Sequence, residues 1–202
     1  AEAMGNDVRQ TWVNNNYAME GIVHQQEGEW HVDDWGIQWV YRHGFNQIAH
    51  FPLAGAPRDE VLRYHFPVER QPALLDLMAP VLADAADYFI GCDVSPCIFE
   101  MYWRLRGMAD ALTDMAADPG LAREMFRRCA DFSVQVAEPA CDRMPLDWLW
   151  AGDDVAAQQG MMMSPRAWRE QIKPELARIF AVGKQRDLPV AYHCCGALRP
   201  II

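Results

Sequence analysis

The second half of the chain alternates short apolar runs with longer amphipathic segments, and this alternation restricts the possible folds most strongly. The apolar runs are YFIGCDV at 88–94, LDWLWAG at 146–152 and PVAYH at 189–193. Short runs with few polar residues are typical of strands that are buried on both faces. Because helix-like segments separate them, the sequence predicts parallel strands covered by helices, as in an α/β barrel or a doubly wound sheet.

Hydrophobic spacing and capping residues place the helices between these strands. Pro119 and Pro165 each stand where the first turn of a helix would begin, and Ser164 is a suitable N-cap for the second of these helices. The resulting predictions are helices over 74–82, 99–117, 119–145 and 165–187.

The first 70 residues follow a different pattern. Residues 1–30 show no clean period, whereas Trp35, Ile37 and Trp39 recur at every second position and predict a strand with a large apolar face. A short helical segment, RDEVLRY at 58–64, comes after a Pro-rich stretch. We therefore divide the chain into an N-terminal excursion at 1–70, packed on the main body, and successive strand–helix units at 71–202.

Composition excludes several classes of partner. The formal net charge is −10, and the 18 basic residues are scattered, so we expect no nucleic-acid interface and no anionic membrane surface. No apolar run is long enough to cross a membrane, and the N-terminus does not resemble a signal peptide. Six cysteines at irregular spacing do not form a disulfide framework, and we expect a cytoplasmic protein with reduced thiols.

His193 and Cys195 lie two positions apart at the end of the last predicted strand. Side chains two apart on a strand point to the same face, whereas Cys194 would point to the other. Zinc prefers nitrogen and sulfur ligands and needs three or four of them, so this pair makes half of a zinc site. The alternative is a hydrogen-bonded core histidine beside a small buried thiol.

Four carboxylates follow the other predicted strands. The carboxyl ends of parallel strands meet at one edge, where α/β proteins place their active sites. Asp153 and Asp154 are catalytic candidates there, since either could orient a metal-bound histidine or anchor a polar substrate. The alternative is that one of them caps the following turn while the other is solvated. Asp93 and Glu100 are candidate substrate-binding residues, and the alternative for Glu100 is a cap of the next helix.

Four motifs in order resemble the uroporphyrinogen decarboxylase superfamily, and most closely its corrinoid-linked, zinc-dependent methyltransferase branch. They are VDDWGIQW, FEMYWRLRGMADALTDMAADP, GDDVAAQQGMMMSPRAWREQIKPELARIF and YHCCG. The resemblance runs from about Asp33 to the end of the chain. It implies a TIM-type (β/α)8 barrel whose funnel opens at the carboxyl ends of the strands.

The resemblance also implies a chemistry. In the methyltransferase branch, the positions of His193 and Cys195 bind zinc together with a later cysteine. The zinc activates a thiol acceptor, and a methyl group moves between a small methylated substrate, a corrinoid carried by a partner protein, and that acceptor. Because a complete barrel needs about 250 residues, we expect this chain to be an incomplete internal fragment, with the third zinc ligand beyond Ile202.

Two alternatives remain. A decarboxylase of a tetrapyrrole would work without metal and would need cationic side chains to hold the substrate carboxylates. The arginine-rich N-terminal signature of that branch is not visible here, and Arg104, Arg106 and Arg199 are the nearest candidates. The other alternative is a non-catalytic binding protein on the same barrel.

Overall fold

The computed structural model describes residues 5–14, 25–83 and 85–202, which form one parallel sheet, two smaller antiparallel sheets and eight α-helices among those residues. In chain order the strands and helices are β1 (Val8–Trp12), β2 (Trp30–Val32), β3 (Gln38–Arg42), β4 (Phe45–His50), α1 (Arg58–Arg63), α2 (Gln71–Asp76), α3 (Ala79–Leu82), β5 (Phe89–Asp93), α4 (Phe99–Arg106), α5 (Met108–Ala117), α6 (Pro119–Arg143), β6 (Trp148–Gly152), β7 (Ala156–Ala157), β8 (Gly160–Met161), α7 (Pro165–Gln171), α8 (Lys173–Lys184) and β9 (Val190–His193).

The main sheet has four parallel strands in the order β1-β5-β6-β9. The three apolar runs of the second half are β5, β6 and β9, so the prediction of parallel strands separated by helices is confirmed. Ile90, Leu149 and Ala151 are completely buried, which explains why these strands carry so few polar residues. The carboxyl ends of all four strands lie along one edge.

Strand β1 was not predicted. It pairs in parallel with β5, so a strand of the main sheet lies within the segment 1–70 that the sequence analysis assigned to an excursion. The division of the chain at residue 70 stays a prediction. The rest of that segment contributes the antiparallel sheet β2-β3-β4 and the helix α1.

The strand predicted over Trp35–Trp39 begins later than expected, at Gln38. Asp33 causes the shift, because its Oδ1 accepts hydrogen bonds of 2.9 Å from the backbone amides of both Trp35 and Ile37. These bonds hold a tight turn between β2 and β3. Trp35 is nevertheless buried, and its ring packs edge-on against Phe132 of α6 with centroids 4.6 Å apart.

Three of the predicted helices are interrupted. The helix predicted over 74–82 is divided into α2 and α3 at Leu77 and Met78. Gly107 has φ +87° and separates α4 from α5, a conformation that glycine adopts without the steric cost of a side chain. Ile172 separates α7 from α8, and Pro174 then stands in the first turn of α8. The long helix α6 begins after Asp118, whose side chain accepts a hydrogen bond from Leu121 N. In the part of the chain that the structure describes, no helix has the length and apolar character needed to cross a membrane.

Candidate functional site

A cleft of about 240 Å³ opens at the carboxyl ends of the parallel strands. Loops after β5, β6 and β9 form its walls, and β1 contributes one side chain. The lining residues are Trp12, Asp93, Ser95, Glu100, Trp150, Gly152, Asp154, His193 and Cys195. Five of the six residues that the sequence singled out therefore meet in one cleft.

His193 and Cys195 come together as predicted, although Cys195 lies in the bend that follows the strand. β9 ends at His193, and the Nε2 atom of that residue lies 3.2 Å from Cys195 Sγ. Cys194, between them, points away and lies with its Sγ 3.9 Å from the backbone oxygen of Ala156. The imidazole and the thiol of Cys195 are thus presented together to the cleft, and their role as metal ligands stays a prediction.

Asp154 joins this pair from the loop after β6. Its Oδ1 lies 3.9 Å from His193 Nε2 and accepts a 2.6 Å hydrogen bond from the backbone amide of Cys195. One ligand atom from each of the three side chains lies within 4.8 Å of the others. The interaction with the Asp154 carboxylate is the main reason why the pKa of the Cys195 thiol is raised. This triad of nitrogen, sulfur and oxygen donors could hold a metal ion.

Asp153, the neighbouring catalytic candidate, is placed differently. It is completely buried, and its carboxylate accepts hydrogen bonds from the backbone amides of Ile98, Phe99 and Glu100 at 3.4, 3.1 and 2.6 Å. Burial raises its pKa to about 7, although these hydrogen bonds act in the opposite direction. Asp153 therefore joins the start of α4 to the end of β6 and does not line the cleft. This differs from the alternative in which one aspartate caps the following turn, because the helix that Asp153 caps lies more than 50 residues earlier in the chain.

Glu100 holds the backbone of Asp154 in place through a hydrogen bond. Its Oε1 accepts a 2.6 Å hydrogen bond from Arg104 Nη2, and its Oε2 accepts a 3.3 Å bond from the backbone amide of Asp154. Both Glu100 and Arg104 are largely buried. Glu100 therefore lines the cleft and at the same time fixes the backbone that carries Asp154.

Asp93 lies on the floor of the cleft between two tryptophans. It is 6% exposed, and its Oδ1 accepts a 2.8 Å hydrogen bond from the backbone amide of Ser95. Burial raises the pKa of this carboxyl to about 6. Trp12 and Trp150 stand in register with Asp93 on the two neighbouring strands. The Trp150 ring also stacks on the His193 imidazole, with centroids 5.7 Å apart and an interplanar angle of 23°.

The two tryptophans were missed by the sequence reasoning. The sequence predicts Trp150 only as an apolar residue of a strand, and it predicts no strand at Trp12. The segment VRQTW at 8–12 is apolar only at its two ends, so its own sequence has no alternating pattern that would predict a strand.

The three arginines named as possible carboxylate ligands do not line the cleft. Arg104 pairs with Glu100, and Arg106 pairs with Asp114 at 2.9 Å. Among the described residues that line the cleft, none is a lysine or an arginine.

Comparison with known proteins gives a family match and a structural relative. A family model described as uroporphyrinogen decarboxylase (URO-D) matches residues 74–202, which is more than half of the chain. No curated protein sequence is significantly similar. A methyltransferase from Methanosarcina mazei has a similar structure, with a TM-score of 0.61 and 16% sequence identity. The similarity covers 99% of this chain and 55% of that one, so this chain spans about half the length of its relative.

Proposed function

The chain belongs to the uroporphyrinogen decarboxylase family, and from this premise we propose that it is a zinc-dependent methyltransferase. The methyl group would move between a small methylated substrate, a corrinoid held by a partner protein and a thiol-type acceptor. The observation that carries the proposal is the meeting of Asp154, His193 and Cys195 in the cleft. We further propose that the parallel sheet is part of a TIM-type (β/α)8 barrel.

The three donor atoms fit zinc. Catalytic zinc sites commonly have three protein ligands and leave one position open, and zinc binds nitrogen, sulfur and oxygen at about 2.0–2.3 Å. Ligand atoms that share an ion therefore lie a few ångströms apart, as His193 Nε2 and Cys195 Sγ do at 3.2 Å. Asp154 supplies a third donor within the described residues. A further cysteine ligand, which the resemblance implies, stays a prediction.

Zinc at such a site would hold a thiol as the thiolate at neutral pH, which supplies a nucleophile for the methyl group. The residues around it would orient the ligands. The Trp150 ring fixes the plane of the His193 imidazole, and Glu100 holds the loop of Asp154. Asp93 would bind substrate at the floor of the cleft. Asp153 would position other residues of the site, because its hydrogen bonds hold the start of α4 against the end of β6.

The match to the uroporphyrinogen decarboxylase family model is the finding that supports the decarboxylase alternative. Its substrate would carry several carboxylates, and such groups need cationic partners. The cleft has three carboxylates and no lysine or arginine among its described lining residues, so its charge favours the methyltransferase. A non-catalytic binding protein differs from both in lacking turnover.

Zinc content is the first test. We expect about one zinc per chain by inductively coupled plasma mass spectrometry, and its loss in His193→Ala and in Cys195→Ser. Cys194→Ser is the matched control, because this neighbouring thiol points away from the triad, and it should retain the metal. A protein without zinc, or equal zinc content in Cys195→Ser and Cys194→Ser, would contradict the proposal.

Methyl transfer is the second test. Methylcobalamin and 2-mercaptoethanol serve as methyl donor and acceptor, and the change in the corrinoid absorption spectrum reports transfer. We expect turnover by the zinc-loaded chain and by Cys194→Ser, and none by Cys195→Ser. Zinc binding without turnover would favour the binding protein.

A further inference from the structure

A row of three side chains crosses the parallel sheet at the floor of the cleft. Trp12 of β1 is in register with Asp93 of β5, and Asp93 is in register with Trp150 of β6. Residues in register on adjacent parallel strands point to the same face and are separated by about 4.8 Å along the sheet. All three line the cleft, so a carboxylate lies between two indole rings.

Among the described residues of the cleft, only His193 could carry a positive charge near the central carboxylate. Asp93 is 6% exposed and accepts its hydrogen bond from Ser95 N, and no described lysine or arginine forms an ion pair with it. A buried carboxylate is normally paired with a cation or with several hydrogen-bond donors. This one faces an open cleft, so a permanently charged cationic ligand could form an ion pair with it.

The two indole rings are held in place. The Trp12 Nε1 atom donates a hydrogen bond to the backbone oxygen of Ser95, which lies in the loop after β5. Trp150 is held between Trp148, which it meets edge-on with centroids 5.4 Å apart, and the imidazole of His193. Rigid aromatic walls around a carboxylate are the arrangement that recognises quaternary ammonium groups, because the faces of the rings attract a diffuse cation.

We infer that the row of Trp12, Asp93 and Trp150 binds the onium group of a methylated cation, a quaternary ammonium or a tertiary sulfonium. This inference rests on the proposed function, since it takes the cleft to be the substrate site of a methyltransferase and names the class of methyl donor. An anionic ligand would meet three carboxylates in the cleft. A neutral methyl ether carries no positive charge and would therefore gain no ion-pair attraction from Asp93.

The onium class also matches the chemistry of transfer. A thiolate or a reduced corrinoid gives an electron pair to the methyl carbon, and the pair of the broken C–N or C–S bond stays on nitrogen or sulfur. The amine or thioether then leaves as a neutral molecule, so no proton has to be delivered to it.

The test compares choline with 3,3-dimethylbutan-1-ol, a neutral molecule of nearly the same shape in which a tert-butyl group replaces trimethylammonium. Binding to the 202-residue chain is measured by isothermal titration calorimetry, in chelator-treated and in zinc-loaded protein. We expect choline to bind at least about tenfold more tightly than the alcohol. Equal affinity for the two, or no binding of choline, would overturn the inference.

Three variants locate the binding site. Asp93→Asn, Trp12→Leu and Trp150→Leu should each reduce the preference for choline by about fivefold or more. Trp30→Leu is the matched control, because Trp30 is 60% exposed on β2 and lies outside the cleft, and it should bind like the wild type. Circular dichroism establishes that each variant is folded. An unchanged preference in folded Asp93→Asn and Trp150→Leu would overturn the inference.

The choline-binding experiment and the zinc-content experiment test separate claims. Zinc binding without a preference for choline would contradict this inference and leave the proposed function standing. A preference for choline in a protein that binds no zinc would contradict the proposed function and support the onium site.

Discussion

The backbone amide of Cys195 donates a 2.6 Å hydrogen bond to Asp154 Oδ1, which joins the loop after β9 directly to the loop after β6. Both loops carry residues of the candidate metal centre. Asp154 would therefore have two functions in the proposed site: one carboxylate oxygen holds the backbone of Cys195, and the carboxylate would itself be a donor for the ion.

Substitution of Asp154 separates these functions. Asp154→Asn keeps an oxygen that can accept the bond from Cys195 N but loses the negative charge, so we expect zinc affinity to fall by about 10–100-fold. Asp154→Ala loses both functions and should bind more weakly still. Competition with a chromophoric chelator measures both affinities.

The control for this experiment is Asp34→Asn. Asp34 forms an ion pair with Arg70 at 2.7 Å and does not line the cleft, so zinc affinity should be unchanged. If Asp154→Asn bound zinc as tightly as Asp34→Asn, the carboxylate would not be a ligand.

A second prediction concerns Gly196, the residue after the candidate thiol ligand. A Cβ atom at this position would lie 2.1 Å from the backbone oxygen of Ala156, a distance that no side chain tolerates without movement of the backbone. We expect Gly196→Ala to displace Cys195 and to lower zinc affinity at least about tenfold. The measurement is again chelator competition.

Gly160→Ala is the matched control for this prediction. Gly160 lies in β8, and a Cβ atom there would meet nothing within 4 Å. Its zinc affinity should equal that of the wild type. Equal affinities in Gly196→Ala and Gly160→Ala would show that the close approach of these two loops does not position the thiol.

The parts of the fold that could be predicted depend on local pattern. β5, β6 and β9 were identified because strands buried on both faces have nearly continuous apolar sequences. The sequence also predicted that His193 and Cys195 face the same way, but β9 ends at His193, so the bend that follows the strand places Cys195. The family resemblance to uroporphyrinogen decarboxylase is confirmed by the match over 74–202.

The parts that could not be predicted depend on contacts between distant segments. Asp153 and Asp154 are neighbours with identical side chains, and only the position of α4 makes one a buried cap and the other a cleft residue. The start of α4 lies more than 50 residues before Asp153 in the chain. The row of Trp12, Asp93 and Trp150 likewise exists only through strand register, which no single segment specifies.

A third prediction tests Asp153 as a positioning residue. Asp153→Ala would leave three backbone amides at the start of α4 without their acceptor. We expect the free energy of unfolding to fall by about 2 kcal/mol, from loss of the cap and from amides left unpaired in a buried position. Urea denaturation followed by circular dichroism gives this quantity. A variant with full stability but no methyl transfer would instead show a catalytic role.

The fourth prediction concerns a buried ion pair that supports the helices behind the cleft. Arg106 Nε donates a 2.9 Å hydrogen bond to Asp114 Oδ2, and Tyr102 donates to the same oxygen. Arg106 Nη1 also donates to the backbone oxygens of Leu53 and Ala56, at 2.7 and 2.8 Å. Asp114→Ala would leave the buried guanidinium with only the more exposed carboxylate of Asp110, 4.0 Å from Nη1, so we expect a loss of about 3 kcal/mol in the free energy of unfolding.

The size of this loss depends on burial, and an exposed pair of the same type provides the comparison. Glu170 accepts a hydrogen bond from Arg166 at 2.7 Å, with side chains that are 52% and 86% exposed. Glu170→Ala should leave the urea midpoint almost unchanged, because solvent screens the charges and the long side chains are costly to order. If Asp114→Ala does not fold, Asp114→Asn keeps the shape and should still lose stability, since it removes only the charge. Equal midpoints for Asp114→Asn and Glu170→Ala would show that the Arg106 pair does not stabilise the packing of α4 and α5.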